Sequence, residues 1–309
     1  MTIDGVTLSV PDAPLRSPSR RHGVTLVFLG PALAVLVLLL VYPVLSSIWL
    51  SLTNASLSAG RLETPFVWFD NYIALFSDKA VHNALFNTLY FAVVEVVGVV
   101  VLGLLTALLL NHPMARWSGF RVLLLLPWAI APVANAVLWK WIFHSNYGIL
   151  NSLLVGSGLI ERNITWFGDS FVALNMVLLV DIWKSTPFIA ILLLAALQNI
   201  PQSLYRAARI DGANGWQSFR YITLPSLKTA IAIAVILQTI WSLRTFDLIF
   251  ILTKGGPADG TVVMNFLAYR VTFNFLEFGY GAAIANVIFM TSLVLAIIYV
   301  RLMKPGARA

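Results

Sequence analysis

Residues 201–225 read Pro201-Gln-Ser-Leu-Tyr-Arg-Ala-Ala-Arg-Ile-Asp-Gly-Ala-Asn-Gly-Trp-Gln-Ser-Phe-Arg-Tyr-Ile-Thr-Leu-Pro225. This polar, basic, glycine-punctuated island separates two long apolar runs, near 171–197 and 229–252. Its order is that of a short helix with a stop. Asn199 or Ser203 can cap a helix start, and Pro201 suits a first turn. Leu204, Ala207 and Ala208 fall at i, i+3 and i+4 and so share a face. Two alanines there leave a shallow surface that a neighbour can approach closely. Gly212 is placed to end the helix as a left-handed cap. A second short segment, Trp216 to Tyr221, follows, and Leu224-Pro225 turns the chain into the next apolar run.

The surroundings of this island are built for lipid. Hydrophobic residues make up 59% of the 309 and charged residues 11%, against about 25% charged in an ordinary soluble domain. A helix needs about 20 apolar residues to cross the hydrocarbon. Lipid offers no hydrogen-bond partners, so only helices or closed barrels can span it. The runs here are continuous and lack barrel alternation, which predicts an all-α membrane protein with about six transmembrane helices. They lie near 24–50, 84–110, 120–143, 171–197, 229–252 and 281–303. The first run has no charge between His22 and Arg61 and is too long for a signal peptide core. It is expected to stay as a helix after a polar tail of residues 1–23. The expected organisation is this N-terminal tail, a transmembrane domain at 24–303 whose connecting loop spans 199–225, and a C-terminal tail at 304–309.

Lys and Arg set the orientation. Arg16, Arg20, Arg21, Arg116, Arg121, Arg206, Arg209, Arg220, Lys228, Arg301, Lys304 and Arg308 fall on one side of the spans. Only Arg61, Lys79, Arg162, Lys254 and Arg270 fall on the other. This bias predicts that both termini and the island are cytoplasmic. It also accounts for the net charge of +7 without any nucleic acid. The outer loops carry Phe66, Trp68, Phe69 and Tyr72, then Tyr147, Trp166 and Phe167, which read either as an interfacial aromatic belt or as a platform for an external partner.

Besides Arg121 and Arg301 at span ends, six charges fall within the predicted spans: Glu95, Lys140, Asp181, Lys184, Arg244 and Asp247. Each would cost about 2.5–3.5 kcal/mol facing lipid at mid-depth, so they are expected to face the bundle or lie near the ends. Asp181 with Lys184, and Arg244 with Asp247, are i, i+3 pairs that can bond within one helix. They read either as structural pairs or as part of a path for a polar solute. A polar, hydroxyl-bearing solute can be held by aromatic faces and by amide, hydroxyl or carboxylate groups. On that chemistry Asn87, Glu95, Trp183, Lys184, Trp241, Arg244 and Asp247 are the candidate path residues. There is no cysteine, which excludes disulfides and thiolate metal sites. There is no Gly-x-x-x-x-Gly-Lys-Ser/Thr loop, so the chain cannot cradle ATP phosphates, and no enzymatic activity is expected of it.

The island resembles the EAA loop of ABC importer permeases, whose usual form is Glu-Ala-Ala, Asp-Gly-Ala, then Phe, Ile and Leu-Pro. Here these positions are Arg206-Ala207-Ala208, Asp211-Gly212-Ala213, Phe219, Ile222 and Leu224-Pro225. The family's glutamate is Arg206, which reverses a charge at the expected contact with the ATPase. Phe246-Asp247, Thr253 and Gly255-Gly256-Pro257 resemble the signature of carbohydrate-uptake permeases related to maltose and glycerol-phosphate transporters. Tyr42-Pro43, Asn71-Tyr72 and Asn87-Thr88 add weaker matches. The resemblance covers nearly the whole chain and implies a MetI/MalF-like permease core of a sugar importer in the bacterial inner membrane. It implies a second homologous permease, two ATPase subunits that bind ATP and Mg, and an extracytoplasmic solute-binding protein. It assigns ATPase coupling to Leu204, Arg206, Ala207, Ala208, Asp211, Gly212 and Ala213. The alternative is a stand-alone secondary transporter or channel that uses the intramembrane charges, and the bland reading of the island is an amphipathic loop on lipid headgroups.

Overall fold

The structure is a computed structural model that describes residues 29–58, 61–111 and 118–303. The expected tails at 1–23 and 304–309 and Arg116 lie outside them. The chain divides into two units, one ending at Trp49 and one beginning at Leu50. In the first, a helix that begins at Leu29 contains a π turn at Val37–Val41 and buries none of its apolar side chains. Helix α1 as a whole is Leu29–Ser51.

In the second unit, a hairpin of β1 (Ser56–Ser58) and β2 (Arg61–Glu63) precedes the short helix α2 (Asp70–Leu75). Two long helices follow in the centre, α3 (Lys79–Asn111) and α7 (Ser170–Gln198). Between them in sequence come α4 (Ser118–Ala129), α5 (Pro132–Ile142) and α6 (Ile149–Gly156). After α7 come α8 (Gln202–Ile210), α9 (Gly215–Ser226) and α10 (Lys228–Leu243). The chain ends in α11 (Asp247–Leu252), α12 (Met264–Tyr269) and α13 (Phe278–Met303).

Helices α3 and α7 form the most extensive pairing in the bundle. Lipid tails are as apolar as leucine, so helix pairing in a bilayer depends on close van der Waals contact and small residues. Gly103 supplies it: a methyl group there would lie 2.9 Å from Ile189 Cγ2. One apolar cluster gathers Phe91, Phe143, Val177, Leu178, Ile249 and Ile284. A second gathers Val99, Ala107, Ile189, Leu193, Leu227 and Ala234 toward the end of the bundle that carries α8.

Two of the expected continuous spans are broken. The run 120–143 bends by 106° between α4 and α5. Ala131 adopts an extended conformation because the ring of Pro132 disfavours the helical region at the preceding residue. The run 229–252 ends as a helix at Leu243 and restarts at Asp247. The carbonyl freed at Leu243 accepts a hydrogen bond from the Asn265 side chain at 3.0 Å, which meets the demand that every buried backbone group find a partner inside the bundle.

Opposite the α8 end, loops are pinned to helices by side chains. Asn71 donates to the carbonyls of Ser51 and Thr53, both at 2.8 Å. Asn87 donates to Val262 O at 2.9 Å and Thr88 accepts from the Met264 amide at 2.9 Å. Arg270 grips Asp259 through two bonds, at 2.6 and 3.2 Å.

Candidate coupling surface and polar cleft

The island of residues 201–225 folds as two short helices at a corner. Asn199 closes α7 rather than opening α8, and Pro201 occupies the N-cap position without a side-chain cap. The stop at Gly212 has the expected chemistry: its φ is +77°, a conformation that costs L side chains. The Ala213 amide bonds Ala208 O at 2.8 Å and the Gly212 amide bonds Arg209 O at 3.2 Å. This pair of bonds is a Schellman motif. Asn214 then opens α9 with a reciprocal capping box to Gln217, which satisfies two orphan amides at once.

This corner is joined to the bundle on one side and open on the other. The hydroxyls of Tyr205 and Thr223 are 2.9 Å apart, and Tyr205 and Ile222 pack on the cluster around Leu227. The axis then turns by 63° into α10. Leu204, Arg206, Ala207, Asp211 and Gly212 are exposed, while Ala208 and Ala213 are half-buried. Ile210 is 86% exposed and Trp216 67%. The corner thus leaves two large apolar side chains outside.

The second feature is a cleft of about 340 Å³ between α5, α7 and the break that separates α10 from α11. Asp181, Lys184, Trp241, Arg244, Thr245 and Asp247 line it, with Pro132, Phe246 and Leu248. Four of the candidate path residues therefore meet in one place: Lys184, Trp241, Arg244 and Asp247. The i, i+3 pairs expected from the spacing do not form. Among the described residues the one ion pair within 4 Å is Arg270–Asp259. Arg244 and Asp247 cannot share a helical turn because the helix ends between them. Lys184 lies near enough to Asp181 to act on its charge without touching it.

Glu95 sits one layer behind the cleft, 1% exposed. Gln238, on the facing side of α10, donates from Nε2 to Glu95 Oε1. Asp181 and Ser242 lie next to the same carboxyl group, and Thr245 Oγ1 donates to Asp181 Oδ2 at 3.4 Å. Glu95 Oε2, Gln238 Oε1 and Ser242 Oγ are buried without a hydrogen-bond partner.

The remaining candidates lie elsewhere. Asn87 fastens α3 to Val262. Trp183 faces a larger apolar groove of about 550 Å³ between α3, α4 and α7 and meets Trp139 edge-on at 5.3 Å. Lys140 donates to Ile251 O at 3.0 Å and ties α5 to α11. Sequence reasoning did not assign Asp181, Thr245 or Gln238 to the site. The available signal was polarity inside an apolar run, with Gln238 and Ser242 one helical turn apart. Among the described residues no group of three or more His, Asp or Glu is placed to hold a metal ion.

The multi-span helical bundle, its polar cleft and the open amphipathic corner at one end are the parts that a membrane permease needs. The sequence model of the binding-protein-dependent transport system inner membrane component matches residues 99–308, and the chain belongs to that family: it is a multi-pass, non-catalytic permease subunit of an ABC importer. It is 38% identical to the sulfoquinovosyl glycerol transport system permease protein SmoG of Agrobacterium fabrum over 89% of both chains. It is 37% identical to the trehalose/maltose transport system permease protein MalF of Thermococcus litoralis, over 88% of this chain and 90% of that one. Its fold matches the crystal structure of a bacterial ABC transporter involved in the import of the acidic polysaccharide alginate, with a TM-score of 0.80 at 21% identity, over 94% of this chain and 98% of that one.

Proposed function

We propose that the chain is the membrane permease subunit of a carbohydrate importer in the bacterial inner membrane and works by alternating access. The relatives named for sulfoquinovosyl glycerol and for trehalose and maltose support a sugar or sugar derivative as the solute. The observation that carries the mechanism is the open corner, with Ile210 and Trp216 outside and Tyr205 bonded to the bundle. A partner ATPase, binding ATP and Mg, grips α8 through Leu204, Arg206, Ala207 and Ala208, with Asp211, Gly212 and Ala213 forming the stop. Closure of the two ATPase subunits carries the corner, and the bundle rocks against a second, homologous permease. A binding protein delivers solute on the opposite face. The basic bias of the loops supports a cytoplasmic position for both termini and α8.

Deleting residues 203–213 tests the reading. Membrane insertion should persist and co-purification of an ATPase should be lost. Retained association, or solute flux through vesicles holding this chain alone, overturns it.

A further inference from the structure

The cleft holds four charged side chains whose situations differ. Of its two acids, Asp181 is engaged locally and Asp247 stands at a helix start. Asp181 accepts from Thr245 and lies beside Glu95. Asp247 opens α11, where an acid is favourable. The two bases are held by no bond, although Lys184 stands near Asp181. Neither the Arg244 guanidinium nor the Lys184 ammonium makes an ion pair, yet both line the same cleft within the apolar part of the chain. A cation in such a segment is costly unless it is paired or serves a cavity. The helix break at 244–246 removes the one acid that sequence spacing offered to Arg244.

We propose that the cleft takes a carbohydrate bearing one anionic substituent, with Arg244 as its counter-charge and Lys184 as the second. This rests on the sugar-importer reading above and specifies its substrate class. A guanidinium presents a planar fork that matches carboxylate, sulfonate or phosphate oxygens through two parallel bonds. Trp241 is 40% exposed at the same cleft and offers a ring face to the C–H surface of a sugar. The volume of about 340 Å³ falls at the small end of the range of ligand pockets, about 300–1,000 Å³, which suits a short saccharide. Asp247 is left to the hydroxyls.

The chain has no cysteine, so Thr245→Cys places its single thiol in the cleft. In the assembled transporter, labelling of this chain by a neutral maleimide is followed with matched pairs: glucose against glucuronate, galactose against galacturonate. The uronates should halve the labelling rate at concentrations at least tenfold below those of their neutral parents. Adding Arg244→Gln should shrink that preference to less than threefold. Lys184→Gln, the second variant should the first fail to assemble, should shrink it in the same direction. Sodium sulfate at matched ionic strength should not protect. Equal protection by neutral and anionic sugars overturns the proposal and leaves the importer reading standing. Protection by sulfate equal to that by uronate also overturns it, since the site would then read charge without sugar. A preference unaltered by either substitution overturns the assignment of the counter-charges. If no sugar protects, the cleft lies off the solute path, and the proposal falls together with that part of the reading.

Discussion

Replacing Gly212 by alanine isolates the contribution of one backbone angle to coupling. The residue holds φ +77°, and a methyl group there would meet nothing within 4 Å. Side-chain crowding is therefore absent, and the cost is conformational: about 1–2 kcal/mol for an L residue in the left-handed region. That energy falls on the cap formed by the Ala213 to Ala208 and Gly212 to Arg209 bonds. A shift of one or two kcal/mol changes the open population of such a cap by a factor of about 5–30. Hydrogen exchange of a peptide covering 208–216 should accelerate by that factor in the Gly212→Ala transporter, and transport-coupled ATP hydrolysis should fall with it. Gly212→Asn should lie between alanine and the parent, because asparagine tolerates this region better. Unchanged exchange in Gly212→Ala, or asparagine as damaging as alanine, would refute the view that the left-handed stop shapes the docking helix.

Gln238→Leu removes the donor to Glu95 Oε1 in a fully buried site. The purified complex should lose about 1–3 kcal/mol, seen as a lower midpoint in a thermal melt; an unchanged midpoint would count against this bond. Gly103→Leu drives a side chain into Ile189 and should cost about 1–3 kcal/mol by overpacking. The double variant with Ile189→Ala should recover part of that loss, and no recovery would mean that the two residues are not the point of closest approach. For sidedness, Trp216→Cys in intact cells should resist a membrane-impermeant maleimide, whereas Tyr147→Cys should react. The reverse pattern would invert the orientation drawn from the basic residues.

Much of this architecture was legible because lipid leaves the backbone few choices. Long apolar runs had to be helices, and α3, α7 and α13 extend over the runs near 84–110, 171–197 and 281–303. The corner was legible for another reason: its signals are local. The Gly212 stop needs only its own φ and the two amide bonds that close the cap. The caps at its edges were less so, since Asn199 serves the helix before it rather than the one after. Direction was the hidden quantity. Hydropathy counts apolar residues but carries no information on where an axis turns. Pro132 marks one turn, yet Pro127 stands inside α4 without ending it, so proline alone could not have located the bend.

The break after Leu243 had no local mark at all, because no proline or glycine lies between 229 and 252. Its support is Asn265, distant in sequence, which takes the carbonyl that the ended helix releases. The consequence for the site is electrostatic. In an unbroken helix, Arg244 and Asp247 would stand one turn apart and could bond to each other. With the helix interrupted, Asp247 begins a new axis and Arg244 stays at the end of the old one, so the same two residues line the cleft without forming an ion pair. A spacing that reads in sequence as a self-contained pair thus becomes, through one long-range amide contact, two charges presented to whatever enters. Asn265→Leu should therefore disturb the cleft from outside it. With the carbonyl of Leu243 unpaired, the break is disfavoured relative to a continuous helix, and the uronate preference measured at Thr245→Cys should weaken although every cleft residue is intact. A preference that survives Asn265→Leu unchanged would show that the break, and the separation of charges it produces, does not depend on that bond.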